Sequence, residues 1–122
     1  MSIELREVNL GTPTQKLVPF SQVELIPSDV AVSTEADTET PFTFESPVYL
    51  ESQKEYALVV STNSSDYEIW TSTLGQSDIG ATETGQTKSL VTTQKIIRSL
   101  FKSQNASVWA PSPYDSLKFE LF

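Results

Sequence analysis

The residues best equipped for chemistry in this sequence are its carboxylates and its aromatics. Glu35-Ala-Asp-Thr-Glu39 brings three acids close together, a grouping that could offer oxygen ligands to calcium. It lacks the acid order and the glycine of a helix-loop-helix calcium loop, and acids in a loop are ordinarily just solvated. Pairs of carboxylates could serve glycoside hydrolysis, which needs two acids about 5 to 10 Å apart. Glu24, Glu45, Glu68 and Glu120 instead fall on the polar phase of alternating segments, where solvation alone accounts for them.

The residue types that are missing narrow the chemistry further. The chain has 122 residues, 16 Asp plus Glu against 8 Lys plus Arg, a net charge of −8, no histidine and no cysteine. Zinc, haem, iron–sulfur and copper centres lean on His or Cys. So do the common nucleophile–base triads, the histidine general base and the disulfide frameworks of small secreted domains. The expectation is therefore a non-enzymatic chain with no catalytic residues, no metal and no cofactor. An acidic chain is also poorly matched to a nucleic-acid backbone, which attracts Lys and Arg.

Aromatic side chains could make a sugar-stacking platform. Tyr67, Trp70, Trp109 and Tyr114 lie near turns or strand ends and are the candidates for contact with a ligand or partner. Phe42, Phe44, Phe101 and Phe119 are expected in the core, where each buries a large apolar area. The two Asn-x-Ser sites, Asn63-Ser-Ser65 and Asn105-Ala-Ser107, read as turns in which Asn bonds local backbone and tolerates positive φ.

The elements that would position these residues are short strands. Apolar residues recur with a period of two, and helical periodicity hardly appears. Seventeen Ser and fourteen Thr suit pleated surfaces and turns. Strands are expected at Ile3–Val8, Gln22–Ile26, Pro41–Glu45, Val48–Leu50, Glu55–Ser61, Tyr67–Leu74, Ser107–Ala110 and Leu117–Phe122. Turns are expected at Gly11-Thr-Pro13, Pro27-Ser-Asp29 and Pro111-Ser-Pro113. The segment Glu55–Ser61 is apolar on both faces, so it should be the central strand, and with 67–74 it should form a hairpin. Residues 33–40 read as a polar loop and 75–88, with three of the four glycines, as a mobile one. Ile96–Phe101 fits either a strand or a short helical turn.

About eight short strands at this spacing predict an all-β chain, an antiparallel, jelly-roll-like β-sandwich. A chain of this length normally makes one domain. The first and last strands run to the chain ends, so residues 1–122 read as a single sandwich domain excised from a longer polypeptide. The opening Met1-Ser-Ile-Glu-Leu-Arg6 alternates charge with apolar residues, unlike a signal peptide. The longest apolar run, Ala57–Val60, is far too short to span a bilayer, so no membrane insertion is expected.

Four stretches together carry a resemblance. They are Gly11–Val30, Pro41-Phe-Thr-Phe-Glu-Ser-Pro-Val-Tyr-Leu50 with Glu55–Val60, Leu100-Phe-Lys-Ser-Gln-Asn-Ala-Ser-Val-Trp109, and Asp115–Leu121. Taken together they resemble a domain of large baseplate-wedge or tail-associated virion proteins of T-even-like phages, especially phages of marine cyanobacteria. The sequence departs from that pattern where Gln94 is followed by Lys95 and where Arg98 takes the place of a glycine. The resemblance implies a non-enzymatic β-sandwich module that mediates virion assembly contacts. Its partners would be other virion proteins or further domains of the same chain. It would reside in the tail or baseplate, after assembly in the host cytoplasm.

The resemblance supplies no catalytic residue to transfer. Within its most specific segment, Lys102, Ser103, Gln104, Asn105 and Ser107 are expected to form a structural turn network, their polar side chains satisfying backbone groups. The alternative is a glycan- or receptor-binding module at the virion surface, presenting the aromatics around Trp109 and Tyr114 to a host surface glycan. A hydrolase of surface polysaccharide would require a carboxylate pair in a cleft.

Overall fold

The computed structural model describes residues 1–75, 100–117, 119 and 121. Among them the protein is all-β: eight strands in one four-stranded and two two-stranded antiparallel sheets. The all-β expectation holds. The described strands do not extend it to a sandwich, because they are divided among these three sheets.

Strand β1 (Ser2–Asn9) is the organising element. Along one edge it pairs with β4 (Tyr56–Ser61), from Ser2↔Ser61 to Glu7↔Tyr56. Its other edge is shared. The hairpin strand β2 (Thr12–Leu17) takes the end around Arg6 to Asn9, and the short β3 (Val23–Glu24) takes Ser2 and Ile3. The central strand is thus β1, a correction to the expectation that placed Glu55–Ser61 there. An unbroken apolar run signals burial on both faces and carries no information about neighbours on both edges.

The turn between β1 and β2 is Leu10-Gly11, both at positive φ (51° and 74°). This is the two-residue geometry whose twist matches that of its flanking strands, and Gly11 adopts it without steric cost. Pro13 therefore lies in β2 and not in the turn. It is accommodated because β2 is an edge strand and its register shifts between Arg6 and Val8.

Between β2 and β3 the chain leaves a gap in the ladder, and Ser21 closes it. Leu5 donates its N–H to Ser21 Oγ at 3.2 Å and accepts from Val18 N at 2.9 Å, while Ser21 Oγ donates to Val18 O at 2.6 Å. Ser21 is 1% exposed, so one hydroxyl replaces a strand partner where none is present.

The remaining strands are short. β5 (Thr71–Thr73) pairs with β8 (Asp115–Leu117), and β6 (Leu100–Lys102) pairs with β7 (Ala110–Ser112). The expected hairpin of 55–61 with 67–74 does not form, since β4 pairs with β1 and β5 with β8. The intervening Thr62–Ser64 and Ser64–Asp66 hydroxyl bonds turn the chain away instead. Pro41–Glu45 and Val48–Leu50 are not strands. The alternation persists there, with Phe42 and Phe44 half-buried and Thr43 and Glu45 exposed, but no neighbouring strand among the described residues supplies a ladder.

Pro27–Asp29 is a single 3₁₀ turn, and residues 33–40 are irregular. Pro111 and Ser112 belong to β7, so the turn falls at Pro113-Tyr114. Ser107–Trp109 are irregular and only Ala110 of that expected strand is extended into β7. The expected mobile loop beyond Gly75, most of Ile96–Phe101 and part of Leu117–Phe122 lie outside the described residues.

The buried residues among those described are Ile3, Val18 and Val59 with Glu4, Arg6 and Ser21. Half of this set is polar, so the centre of the large sheet depends on every polar group finding a partner. Phe42, Phe44, Phe101 and Phe119, expected in the core, are each only half-buried.

Candidate functional site

The two faces of β1 are built differently. Ile3 and Leu5 point one way, and Ser2, Glu4 and Arg6 point the other, as pleating requires. On the second face Glu4 lies opposite Val59 and Arg6 opposite Ala57. Glu4 and Arg6 are 7% and 8% exposed, so this polar face is covered. What lies against Arg6 on it includes Ala106 and Trp109.

Arg6 is the meeting point. Its Nε donates to Glu4 Oε1 at 2.6 Å, and Nη2 completes a second contact to the same carboxylate. Its Nη1 donates to Ala106 O at 2.7 Å, and its guanidinium lies 6.0 Å from the centre of the Trp109 ring. Gln22 Nε2 approaches the other Glu4 oxygen at 3.4 Å. From β2, Gln15 Nε2 donates to Ala106 O at 2.7 Å and to Ser107 Oγ at 2.9 Å. A buried charge pair is tolerated only when its remaining donors and acceptors are also occupied, and these contacts occupy them.

The segment itself is shaped from within. Asn105 Oδ1 accepts from the N–H groups of Ser107, at 3.0 Å, and Val108, at 2.9 Å. Ser103 Oγ in turn accepts from Asn105 N at 3.3 Å. The residue at positive φ is Ala106 (56°), one position after the expected Asn105. That left-handed step presents the Ala106 carbonyl to Arg6 and Gln15. At Asn63 the local turn bonds run through Thr62 and Ser64 hydroxyls instead. Gln104 is exposed.

Lys102 works on a second junction. Its Nζ lies 3.1 Å from Asp115 Oδ2, while Thr73 Oγ1 donates to Asp115 Oδ1 at 2.6 Å. Asp115 thereby ties β6 to β8 and β5. The Thr73 hydroxyl, first, and then the Lys102 ammonium hold its carboxyl below the ordinary value. On the first face of β1, Glu7 is likewise lowered, chiefly by Lys54 at 3.1 Å and secondarily by Lys16.

The four aromatic candidates do not gather into one platform. Trp109 is half-buried against Arg6, and its Nε1 is buried without a partner among the described residues. Trp70 is 45% exposed and donates its Nε1–H to Ser33 O at 3.0 Å. Tyr114 is 67% exposed. Because Thr71 lies opposite Leu117 and Thr73 opposite Asp115, Trp70 and Tyr114 flank opposite ends of the β5–β8 ribbon. Tyr67 is half-buried in the irregular stretch before β5.

In the acidic loop, Asp37 accepts from the hydroxyls of Ser33 and Thr38. Among the described residues no three acids cluster as a metal set would. No helix among them is long and apolar enough to cross a membrane. An open, polar depression lies at the β3 end of the large sheet, lined by Ser2, Gln22, Glu24, Ser61 and Asn63; Glu24 is its one acid.

Sequence reasoning passed over Glu4, Arg6, Gln15 and Ser21. The one available signal was Glu4-Leu-Arg6, opposite charges two apart on a strand and hence side by side on one face. What this cluster can do chemically is hold: Arg6 and Gln15 fasten Ala106, Ser107 and Trp109 to the large sheet. No protein-family model, no curated protein and no solved structure matches the chain.

Proposed function

We propose that this protein is a non-enzymatic structural module of a tailed-phage tail or baseplate protein, mediating contacts during virion assembly. The reading rests on the resemblance carried by Leu100–Trp109. The observation that carries it furthest is that Asn105 Oδ1, the Ala106 carbonyl and Ser107 Oγ are consumed by the fold: Asn105 shapes the loop, Ala106 and Ser107 are held by Arg6 and Gln15, and Trp109 packs against Arg6. A segment whose side chains are spent on architecture suits a part that must present a fixed shape to its neighbours. A ligand site would keep some of those groups available.

The glycan alternative has less to stand on. Trp109 lies beneath a guanidinium, and Trp70 and Tyr114 are separated by the length of a ribbon. The assembly reading is tested by lysine cross-linking and peptide mass spectrometry on purified tails of phages that encode the chain. Cross-links from the exposed Lys16 or Lys102 to other tail proteins are expected. Absence of the chain from intact particles would overturn the reading.

A further inference from the structure

The edge of β4 that no described residue pairs with is complementary to itself, and we propose that two copies of this chain pair there in an antiparallel arrangement, joining their large sheets. Leu5 bonds Ser21 and Val18 on the β2/β3 side of β1. Successive residues of an antiparallel strand direct their N–H and C=O groups to alternate edges. Ser2, Glu4 and Arg6 therefore face β4, and their register partners Ser61, Val59 and Ala57 face back. Tyr56, Leu58 and Val60 then direct their N–H and C=O groups away from the sheet. No described residue pairs with that edge.

An open edge is a template for another strand, and monomeric proteins blunt such edges with charge, proline or bulges. The opposite edge strand, β2, carries all three: Lys16, Pro13 and the register shift. Strand β4, Tyr-Ala-Leu-Val-Val-Ser, has no charge and no proline, and its pairing with β1 is unbroken. The two edges of one sheet are thus treated in opposite ways, one closed to partners and one left open by the described residues.

The chemistry of β4 favours a second copy as the occupant. Antiparallel pairing about Leu58 sets Leu58 against its own counterpart and Ala57 against Val59. It also sets Tyr56 against Val60, an aromatic with a β-branched residue, a favourable cross-strand pair. At the ends Glu55 meets Ser61 and Lys54 meets Thr62, so no like charges are opposed. That matters in a chain of net charge −8, whose copies repel one another elsewhere. A two-fold axis through Leu58 makes the contact self-complementary and closed. The inference stands on the edge geometry and goes beyond the assembly reading, for which it supplies one partner.

The test is sedimentation of the full 122-residue chain from micromolar to near-millimolar concentration, with amide exchange measured at both extremes. A concentration-dependent shift from monomer to dimer is expected, with the Tyr56, Leu58 and Val60 amides exchanging more slowly at high concentration. Val60→Lys adds a charge to the edge, and Leu58→Pro removes an outward N–H while leaving the β1 ladder intact. Either variant, folded by circular dichroism, should sediment as monomer. The measurement on the unaltered chain decides the matter if neither variant folds. A monomer at every concentration would overturn the proposal, including when β4 binds a strand of some other protein. A dimer whose three amides exchange at the same rate at both extremes would overturn it as well. Neither outcome touches the tail cross-linking result, so the two readings fail separately.

Discussion

Arg6 donates its Nη1–H to the carbonyl of Ala106 at 2.7 Å, joining positions 100 residues apart in the chain. The same guanidinium pairs with Glu4 on its own strand and lies over Trp109. One side chain thus couples the central strand of the large sheet to the segment that enters β7. This contact turns a run of hydroxyls and amides, which could have been a binding loop, into part of the scaffold.

The Glu4–Arg6 pair is buried on both sides, so removing either member alone strands a charge. Arg6→Leu and Glu4→Leu are each expected to lower the unfolding free energy by about 3–5 kcal/mol. The double variant is expected to lose clearly less than the two losses combined, because no unpaired charge remains. Urea denaturation of the four proteins measures the coupling. Simple additivity would mean that the two side chains do not act as a pair.

Ser21 has a different role, since it replaces a missing strand partner. Ser21→Ala leaves the Leu5 N–H and the Val18 carbonyl without the hydroxyl that now serves both. A loss of about 1–3 kcal/mol is expected, together with faster amide exchange at Leu5. Unchanged exchange at Leu5 would show that another group fills the gap.

The acid limb of stability should depend on Asp115 and Glu7. Both carboxyls are lowered in the folded state, Asp115 by Thr73 and Lys102, Glu7 by Lys54 and Lys16. A lowered carboxylate contributes stability that is present above its ordinary value, 3.8 for Asp115 and 4.5 for Glu7. That contribution is lost as the pH falls through the folded value. Lys54 is raised above 10.5, chiefly by Glu7, so its share is lost only as the pH rises through the folded value. Thermal melts between neutral pH and pH 2 should show stability falling across the acid window, and Asp115→Asn should flatten that fall. An equally steep fall in Asp115→Asn would assign it to other groups.

The parts of this fold legible in the sequence are the local ones. Ile3-Glu-Leu-Arg6 announces β1 by its alternation, and Glu55–Ser61 announces β4 by its apolar run. Which strands pair is a long-range matter that alternation does not encode, and so β4 was expected beside 67–74 when it lies against β1. Strand β2 was hidden by Pro13 and by its exposure, since a solvated edge strand needs no apolar face. Phe42 and Phe44 keep the alternation of a strand without becoming one, because a strand exists only where a neighbour accepts its hydrogen bonds. At the candidate site, the turn chemistry around Asn105 could be read locally, down to its side chain bonding nearby backbone. The role of Arg6 could not, because its burial depends on residues 100 positions away.

Asn105 measures most directly whether Lys102–Trp109 is held as architecture. Its Oδ1 accepts two backbone N–H groups, an acceptor that Asp retains and Ala lacks. Urea unfolding followed by tryptophan fluorescence should place Asn105→Ala about 1 kcal/mol below the parent, the typical worth of a side-chain cap on backbone donors. Asn105→Asp should stay close to the parent. If Asn105→Ala unfolds at the parent's midpoint, the side chain does not hold the segment together, and the structural account of this signature is wrong.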